Sequence, residues 1–227
     1  MEKIKIKSSY MTSFGRLEGD IGAITLEALR GVLRDTDNRR VRHIFVAAYA
    51  PADLCQIPDP MEWTKDLVRH GFPEIRAEFH GVYRTGGEAL YTALEHASAD
   101  PKNCDGTLVV GFEKMTHRPP AETAGILSER ENPHDRAYGA TLPALGALVT
   151  RAYQQSYGVP ESAWHRVAVK NHGNAVRNPK AQFRRAVTID DVMTSPLVSD
   201  PLRRLHCAPT SDGAAAVLLD SRVGDTW

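Results

Sequence analysis

Only three cysteines occur in the 227 residues, Cys55, Cys104 and Cys207, and they stand far apart with no metal-ligand spacing. A sparse, odd-numbered set speaks against a disulfide framework and for free thiols in a reducing cytoplasm. No metal ligands are assigned from the sequence. Long apolar runs are missing as well: none approaches the ~20 residues that a membrane span requires. The amino-terminal Met1-Glu2-Lys3-Ile4-Lys5-Ile6-Lys7 alternates charged and apolar residues, so it lacks the continuous apolar core of a secretory signal. Nor does charge of one sign dominate. The 28 basic and 28 acidic residues cancel, and no net field points to nucleic acid or anionic lipid. Repeats and low-complexity tracts are absent. What remains is a composition of 42% hydrophobic and 25% charged residues, that of an ordinary globular chain long enough for one substantial core or two small ones. The expectation is a soluble, cytoplasmic, neutral protein with neither a nucleic-acid nor a membrane partner.

Hydrophobic periodicity supplies the elements. Lys3 to Lys7 predicts a short strand by its period of two, ending before the Ser8–Gly15 turn region. From Asp20, a plausible N-cap, Ile21, Ile24, Ala28, Leu29, Val32 and Leu33 recur at helical spacing. His43 to Tyr49 is a continuous apolar run, as expected of a strand buried on both faces. A helix from about Met61 to His70 ends at Gly71 and Pro73, and a third strand is predicted at about Glu74 to Phe79. Thr107 to Phe112 reads as the fourth. The order β-α-β-α-β-α-β argues for a mostly parallel sheet between helical layers, with its site at the carboxyl ends of the strands, near Tyr83, Glu113, Met115 and His117. Residues from about 113 to 210 form a helical and loop excursion, with helices at about 142–157 and 162–176 and a short capped helix at Thr188–Val192. In the first of these, Leu145, Leu148, Val149 and Tyr153 share one side. Ala214 to Leu219 supplies the final strand, making five.

The stretch Val82-Tyr83-Arg84-Thr85-Gly86-Gly87-Glu88-Ala89-Leu90 stands out. An alternating run precedes it, and Ala89, Leu90, Ala93, Leu94 and Ala97 follow at helical spacing. A strand, a glycine turn and a buried helix make a nucleophile-elbow geometry, in which one side chain is thrown up above the sheet edge. The residue so placed is Tyr83. A phenol, with an ordinary pKa near ~10, is a poor acyl acceptor. It can serve as a general acid or base, or as a hydrogen-bond donor to an enolate.

Five separated motifs, in order over nearly the whole chain, resemble the thiolases, in particular their sterol-carrier-protein-type branch. They are Met11-Thr12-Ser13-Phe14-Gly15; Val109-Val110-Gly111-Phe112-Glu113-Lys114-Met115; Lys170-Asn171-His172-Gly173-Asn174-Ala175 with Asn178-Pro179-Lys180-Ala181-Gln182-Phe183; Ser195-Pro196 with Asp200-Pro201-Leu202; and Cys207-Ala208-Pro209-Thr210-Ser211-Asp212-Gly213-Ala214-Ala215-Ala216. The resemblance implies an α/β fold equivalent to a thiolase amino-terminal half, forming a single domain over 1–227 with the inserted region at about 113–210. It also implies a coenzyme A thioester as substrate or ligand, with no tightly bound cofactor. Aligned on Thr85-Gly86 and Ala89-Leu90, the family's nucleophilic cysteine falls on Tyr83. The Gly-His-Pro and Cys-x-Gly motifs of the family's second half do not occur.

Several candidate residues carry more than one reading. Tyr83 is either a functional replacement for the cysteine or a filler that closes the pocket. His172 is either catalytic or a structural histidine that holds a loop. His80, three residues before Tyr83, either reaches the same pocket or is simply solvated. Gly86 and Gly87 would let a ligand approach the turn. Arg84 and Glu88 pair with each other at i, i+4, pair with a partner chain, or signal a more open site. Arg177 and Lys180, with Arg184 and Arg185, either attract CoA phosphates or form a solvated face. Cys207 is expected to pack as a small apolar residue, and Glu113 to serve as a structural hydrogen-bonding group.

Three functions fit: a subunit of an acyl-CoA acyltransferase or carbon–carbon lyase that needs a separate C-terminal-half partner, a non-catalytic acyl-CoA-binding or scaffolding subunit, or a truncated pseudo-enzyme. The family's dimers and tetramers, and the zinc-ribbon/OB-fold accessory protein of this branch, make a homo-oligomer or such partners the expectation. A half alone exposes a broad apolar face, including the helix of Ala89, Leu90, Ala93 and Leu94, and such faces mark interfaces. Native mass measurement is therefore expected to show an oligomer or a complex; a monodisperse 25 kDa monomer would contradict this.

Overall fold

The computed structural model describes residues 4–100, 106–129 and 131–220. Cys104 and most of the 100–103 linker lie outside them. The chain divides into two compact units, Met1–His117 with Ser211–Trp227, and Arg118–Thr210.

In chain order the first unit contributes β1 (Lys5–Met11), α1 (Ile21–Leu33), β2 (His43–Ala47), α2 (Pro51–Cys55), α3 (Pro60–Gly71), β3 (Glu78–Tyr83), α4 (Gly86–Ala99) and β4 (Thr107–Glu113). The second unit holds α5 (Pro120–Ser128), α6 (Pro133–Ala137), α7 (Leu142–Tyr157), α8 (Ser162–Val176), α9 (Ile189–Thr194), β5 (Leu197–Ser199) and β6 (Leu202–Arg203). The chain then returns to the first unit as β7 (Gly213–Asp220).

The five-stranded sheet has the order β1-β7-β4-β2-β3. β2 pairs in parallel with both β3 and β4, and β7 runs antiparallel to β4 and β1, so four of the five strands point the same way. β2 and β4 are apolar on both faces because helices cover both faces. On one face, α1 and α3 bury Ile24, Leu29, Val32 and Val68 against Ile44, Val46, Leu108 and Val110. On the other, α4 lays Ala89 and Ala93 onto Phe45, Ala47, Val109 and Leu219. Side chains on α4 that are only one carbon long let the helix backbone approach the sheet closely. Asp20 caps α1 by accepting from the Ala23 amide at 2.7 Å, and Asp59 caps α3 by accepting from Glu62 at 2.9 Å.

Several sequence expectations shift. The first strand runs on through Ser8 to Met11, because β7 supplies a full-length antiparallel partner across a register shift between Ile6 and Ser8. The third strand starts at Glu78, where it meets His43, and not at Glu74; Ile75 owes its apolar character to burial in the approach to the strand. The hairpin of β5 and β6 was not anticipated. In the second unit, α7 and α8 take the predicted bounds, with Gly158 (φ 62°) as the left-handed stop of α7. Thr188 and Asp191 form a reciprocal capping box on α9. The Leu148, Val149 and Tyr153 side of α7 remains exposed, and Ala147 is the buried residue. On α4 the Ala89/Ala93 stripe is covered by the sheet, contrary to the expected exposed face, while Tyr91 and Leu94 point outward.

The ends of the excursion are joined through Asp212, which is fully buried. Its carboxylate accepts from the amides of Leu17 (3.1 Å), Met115 (2.7 Å) and Thr116 (2.8 Å), from the Thr116 hydroxyl (2.6 Å), and from Lys114 Nζ (3.2 Å). Burial alone would push this carboxyl up; the hydrogen bonds from Thr116, Leu17 and Met115 outweigh it and hold the group below the usual carboxylate range. Asp212→Asn is expected to cost on the order of 3 kcal/mol, read by urea denaturation at neutral pH. A carboxyl whose folded pKa is depressed adds stability above its unfolded value of about 3.9 and loses it as the pH falls through the folded value. The acid limb of the stability–pH curve is therefore expected to be shallower in the Asn variant.

Candidate active site

The carboxyl edge of the parallel strands brings together the end of β3 and the end of β4. Tyr83 is the last residue of β3, and its carbonyl accepts from the Ala48 amide at 2.9 Å. Thr85 then caps α4, its hydroxyl accepting from the Glu88 amide at 3.0 Å. The Glu88 carboxylate reaches back to the Arg84 backbone amide at 3.2 Å. Of the readings offered for Arg84 and Glu88, the contact formed is this one, from the Arg84 backbone amide to the Glu88 carboxylate. Arg84, Gly86, Gly87 and Glu88 are all exposed, so the charges at the turn carry no burial cost and the site is open. A Cβ added at Gly86 would meet no atom within 4 Å, so the fold itself does not demand a glycine there. The α4 amino terminus therefore faces open space, with the partial positive charge of its free amides available to a ligand's oxygen.

The Tyr83 ring reaches the α4 face through a bulge. His80 pairs with Phe45 and Val82 with Val46, leaving Gly81 unpaired at φ 46°. Without that bulge, positions 80 and 83, three apart in a regular strand, would face opposite sides of the sheet. With it, His80 stacks on Phe45 (centroids 4.6 Å apart, 11° between planes), and Tyr83 flanks the same ring at 6.2 Å. The phenol lies over Gly81, where an added Cβ would come within 3.2 Å of its oxygen. No base is hydrogen-bonded to the phenol among the described residues.

Next to the turn, Glu113 at the end of β4 accepts from the Tyr49 amide at 2.7 Å and from the Cys55 thiol at 3.3 Å. This is the structural hydrogen-bonding role expected of it. Burial and then the Glu113 charge push the Cys55 thiol up to about 12, so this cysteine stays protonated and non-nucleophilic at neutral pH. Cys207 is half-buried, its thiol raised by burial and directed at the Arg203 carbonyl at 3.6 Å.

His80 is partnered away from the turn: its Nε2 lies 3.0 Å from His43 Nδ1, and its ring also contacts His96. His172, Arg177 and Lys180 belong to the second unit. His172 is half-buried on α8, and Arg177 bonds Asn174 Oδ1 at 3.3 Å. The Lys180 amide bonds Asn178 Oδ1 at 3.0 Å, so this asparagine-rich stretch shapes the exit of α8. Three features went unread in the sequence: Asp212 as a hub, the Cys55–Glu113 contact, and the histidine groupings His43/His80/His96 and His165/His206. For Asp212 the signal was present, since it lies inside the Ser211-Asp212-Gly213 motif. The histidines are scattered through the sequence and left none.

Gly81→Ala is expected to destabilise the chain by about 1–2 kcal/mol, from the left-handed backbone and the contact with the phenol. Gly86→Ala, at an unobstructed position of a helix first turn, is expected to leave thermal stability unchanged. Thermal melts of the two variants side by side check both.

Residues 6–223 match the family described as Thiolase, N-terminal domain. Among curated relatives, the acetyl-CoA acetyltransferase of Methanothermobacter thermautotrophicus is 42% identical over 147 residues, covering 65% of this chain and 37% of that protein. Sterol carrier protein 2 of Bos taurus is 33% identical over 148 residues, covering 60% of this chain and 26% of that protein. The chain thus spans well under half the length of these relatives. Two solved structures share its fold over 96% of its length. An Ltp2–ChsH2(DUF35) aldolase superposes with a TM-score of 0.67 at 24% identity, over 56% of that chain. A monomeric SCP2-thiolase-like protein type 1 from Mycobacterium smegmatis gives 0.68 at 14%, over 45% of that chain.

Proposed function

The chain belongs to the thiolase N-terminal domain family, and on that premise we propose that it is one subunit of a thiolase-like enzyme that makes or breaks a carbon–carbon bond in an acyl-CoA thioester. The observation that carries this reading is the capped, open turn at the end of β3, which ends in Tyr83 before an unobstructed α4 amino terminus; by motif resemblance Tyr83 stands where the family has its nucleophile. A phenol there does not accept an acyl group; it moves protons. In an aldol-type cleavage of a 3-hydroxyacyl thioester, a base removes the hydroxyl proton and the Cα–Cβ bond breaks to a carbonyl compound. The electron pair is left on the thioester as an enolate, which an acid then protonates. No acyl-enzyme is needed, and the chain shares its fold with the Ltp2–ChsH2(DUF35) aldolase.

The remaining groups come from a second polypeptide, a thiolase C-terminal half, with a zinc-ribbon/OB-fold accessory protein as a further partner. The outward Tyr91 and Leu94 on α4, and Leu148, Val149 and Tyr157 on α7, offer apolar surface to such partners. One observation favours a second reading, a non-catalytic acyl-CoA-binding or scaffolding subunit: no base within the described chain engages the phenol.

Tyr83→Phe separates the two. In the complex co-purified from cells, the variant is expected to lose about 10²-fold or more in kcat for cleavage of a 3-hydroxyacyl-CoA, with KM little changed. Full activity in that variant would eliminate the proton-transfer role, and acyl-CoA binding without turnover in the wild-type complex would favour the scaffold.

A further inference from the structure

Three histidines from three elements meet on the α4 side of the sheet. His43 opens β2, His80 lies in the first half of β3, and His96 comes from the last turn of α4. His43 Nδ1 and His80 Nε2 are 3.0 Å apart. The His96 ring centroid stands 4.5 Å from that of His43 and 4.7 Å from that of His80. One ring nitrogen from each residue falls within 4.8 Å of the other two. The group lies toward the amino edge of the strands, away from the Tyr83 turn, so it stands apart from the acyl-CoA reading.

Packing alone does not explain the cluster. His96 Nδ1 is buried and has no hydrogen-bond partner, a state that natural cores avoid. A phenylalanine or leucine would fill the same space without that cost. Nor do protonated imidazoles account for it, since three positive charges this close would repel one another. Neutral imidazole with a free lone pair is the form that ligates.

A cation fits the spacing. Zinc–nitrogen bonds of about 2.0–2.1 Å in a tetrahedral arrangement place ligand nitrogens about 3.4 Å apart. The 3.0 Å pair and the 4.8 Å outer limit bracket that value, so small ring rotations suffice. Stacking on Phe45 fixes the His80 ring. The Glu78 carboxylate lies 4.0 Å from His43 Nδ1 and supplies an oxygen at the rim. Imidazole ligands suit zinc, copper and nickel, whereas magnesium and calcium take oxygen.

We propose that His43, His80 and His96 form a binding site for one divalent transition-metal ion of the zinc class, which ties the last turn of α4 to the amino-terminal parts of β2 and β3. The untagged full-length chain, stripped with chelator, is titrated with ZnCl2 by calorimetry and with CoCl2 by visible absorption. The expected result is one zinc per chain, tetrahedral cobalt bands, and a melting temperature that rises with zinc. His96→Gln and His80→Asn are each expected to weaken zinc binding about tenfold or more and to remove the thermal rise. His206→Asn, in the two-histidine pair of the other unit, is expected to leave both unchanged. Imidazole ¹H–¹⁵N spectra of the wild-type chain give a readout that needs no variant: the His43, His80 and His96 rings shift with one equivalent of zinc. Absence of stoichiometric binding, equal affinity in the folded His96→Gln chain, or zinc-induced shifts confined to other histidines would overturn the proposal.

Discussion

Five hydrogen bonds to one buried carboxylate hold the ends of this chain's longest detour together. The polypeptide leaves the sheet after β4, builds a second unit, and returns as β7. Asp212 clasps the leaving segment at Lys114, Met115 and Thr116, and clasps Leu17 beyond the end of β1 as well. A buried carboxylate with fewer donors would be an expense to the fold. With five donors it becomes a junction that sets where β7 enters the sheet between β1 and β4. Because β7 alone runs against the other strands, its entry point is not dictated by a repeating βαβ handedness. A specific polar junction supplies what topology does not.

A single unpaired glycine has the same kind of influence on the site. The bulge takes Gly81 out of the alternation of β3 and puts His80 and Tyr83 on one face, where both rings lie by Phe45. The bulge therefore couples two features with separate chemistry. Tyr83 ends at the open turn beside α4, and His80 joins His43 and His96 nearer the amino edge. A side chain at position 81 would strain the backbone and press against the phenol, so the two features depend on one local conformation.

The α4 helix shows why small residues matter here. Ala89, Ala93 and Ala97 are fully buried against the sheet, yet Tyr91 and Leu94 point away from it. The helix thus combines close approach on its sheet side with apolar display on its outer side.

Much of the architecture could be read from local pattern. The β2 and β4 apolar runs, the Asp20, Thr188 and Gly158 caps, and the bounds of α7 and α8 follow from side-chain periodicity and capping chemistry, which act over a few residues. The turn that places Tyr83 before α4 was legible for the same reason, as was the family resemblance carried by contiguous motifs. The start of β3, the bulge at Gly81, the hub at Asp212 and the meeting of His43, His80 and His96 were not. Each depends on which residue stands across from which in a neighbouring strand or helix. Pairing of that kind is chosen by tertiary packing between segments far apart in the chain, and no local run of residues records it.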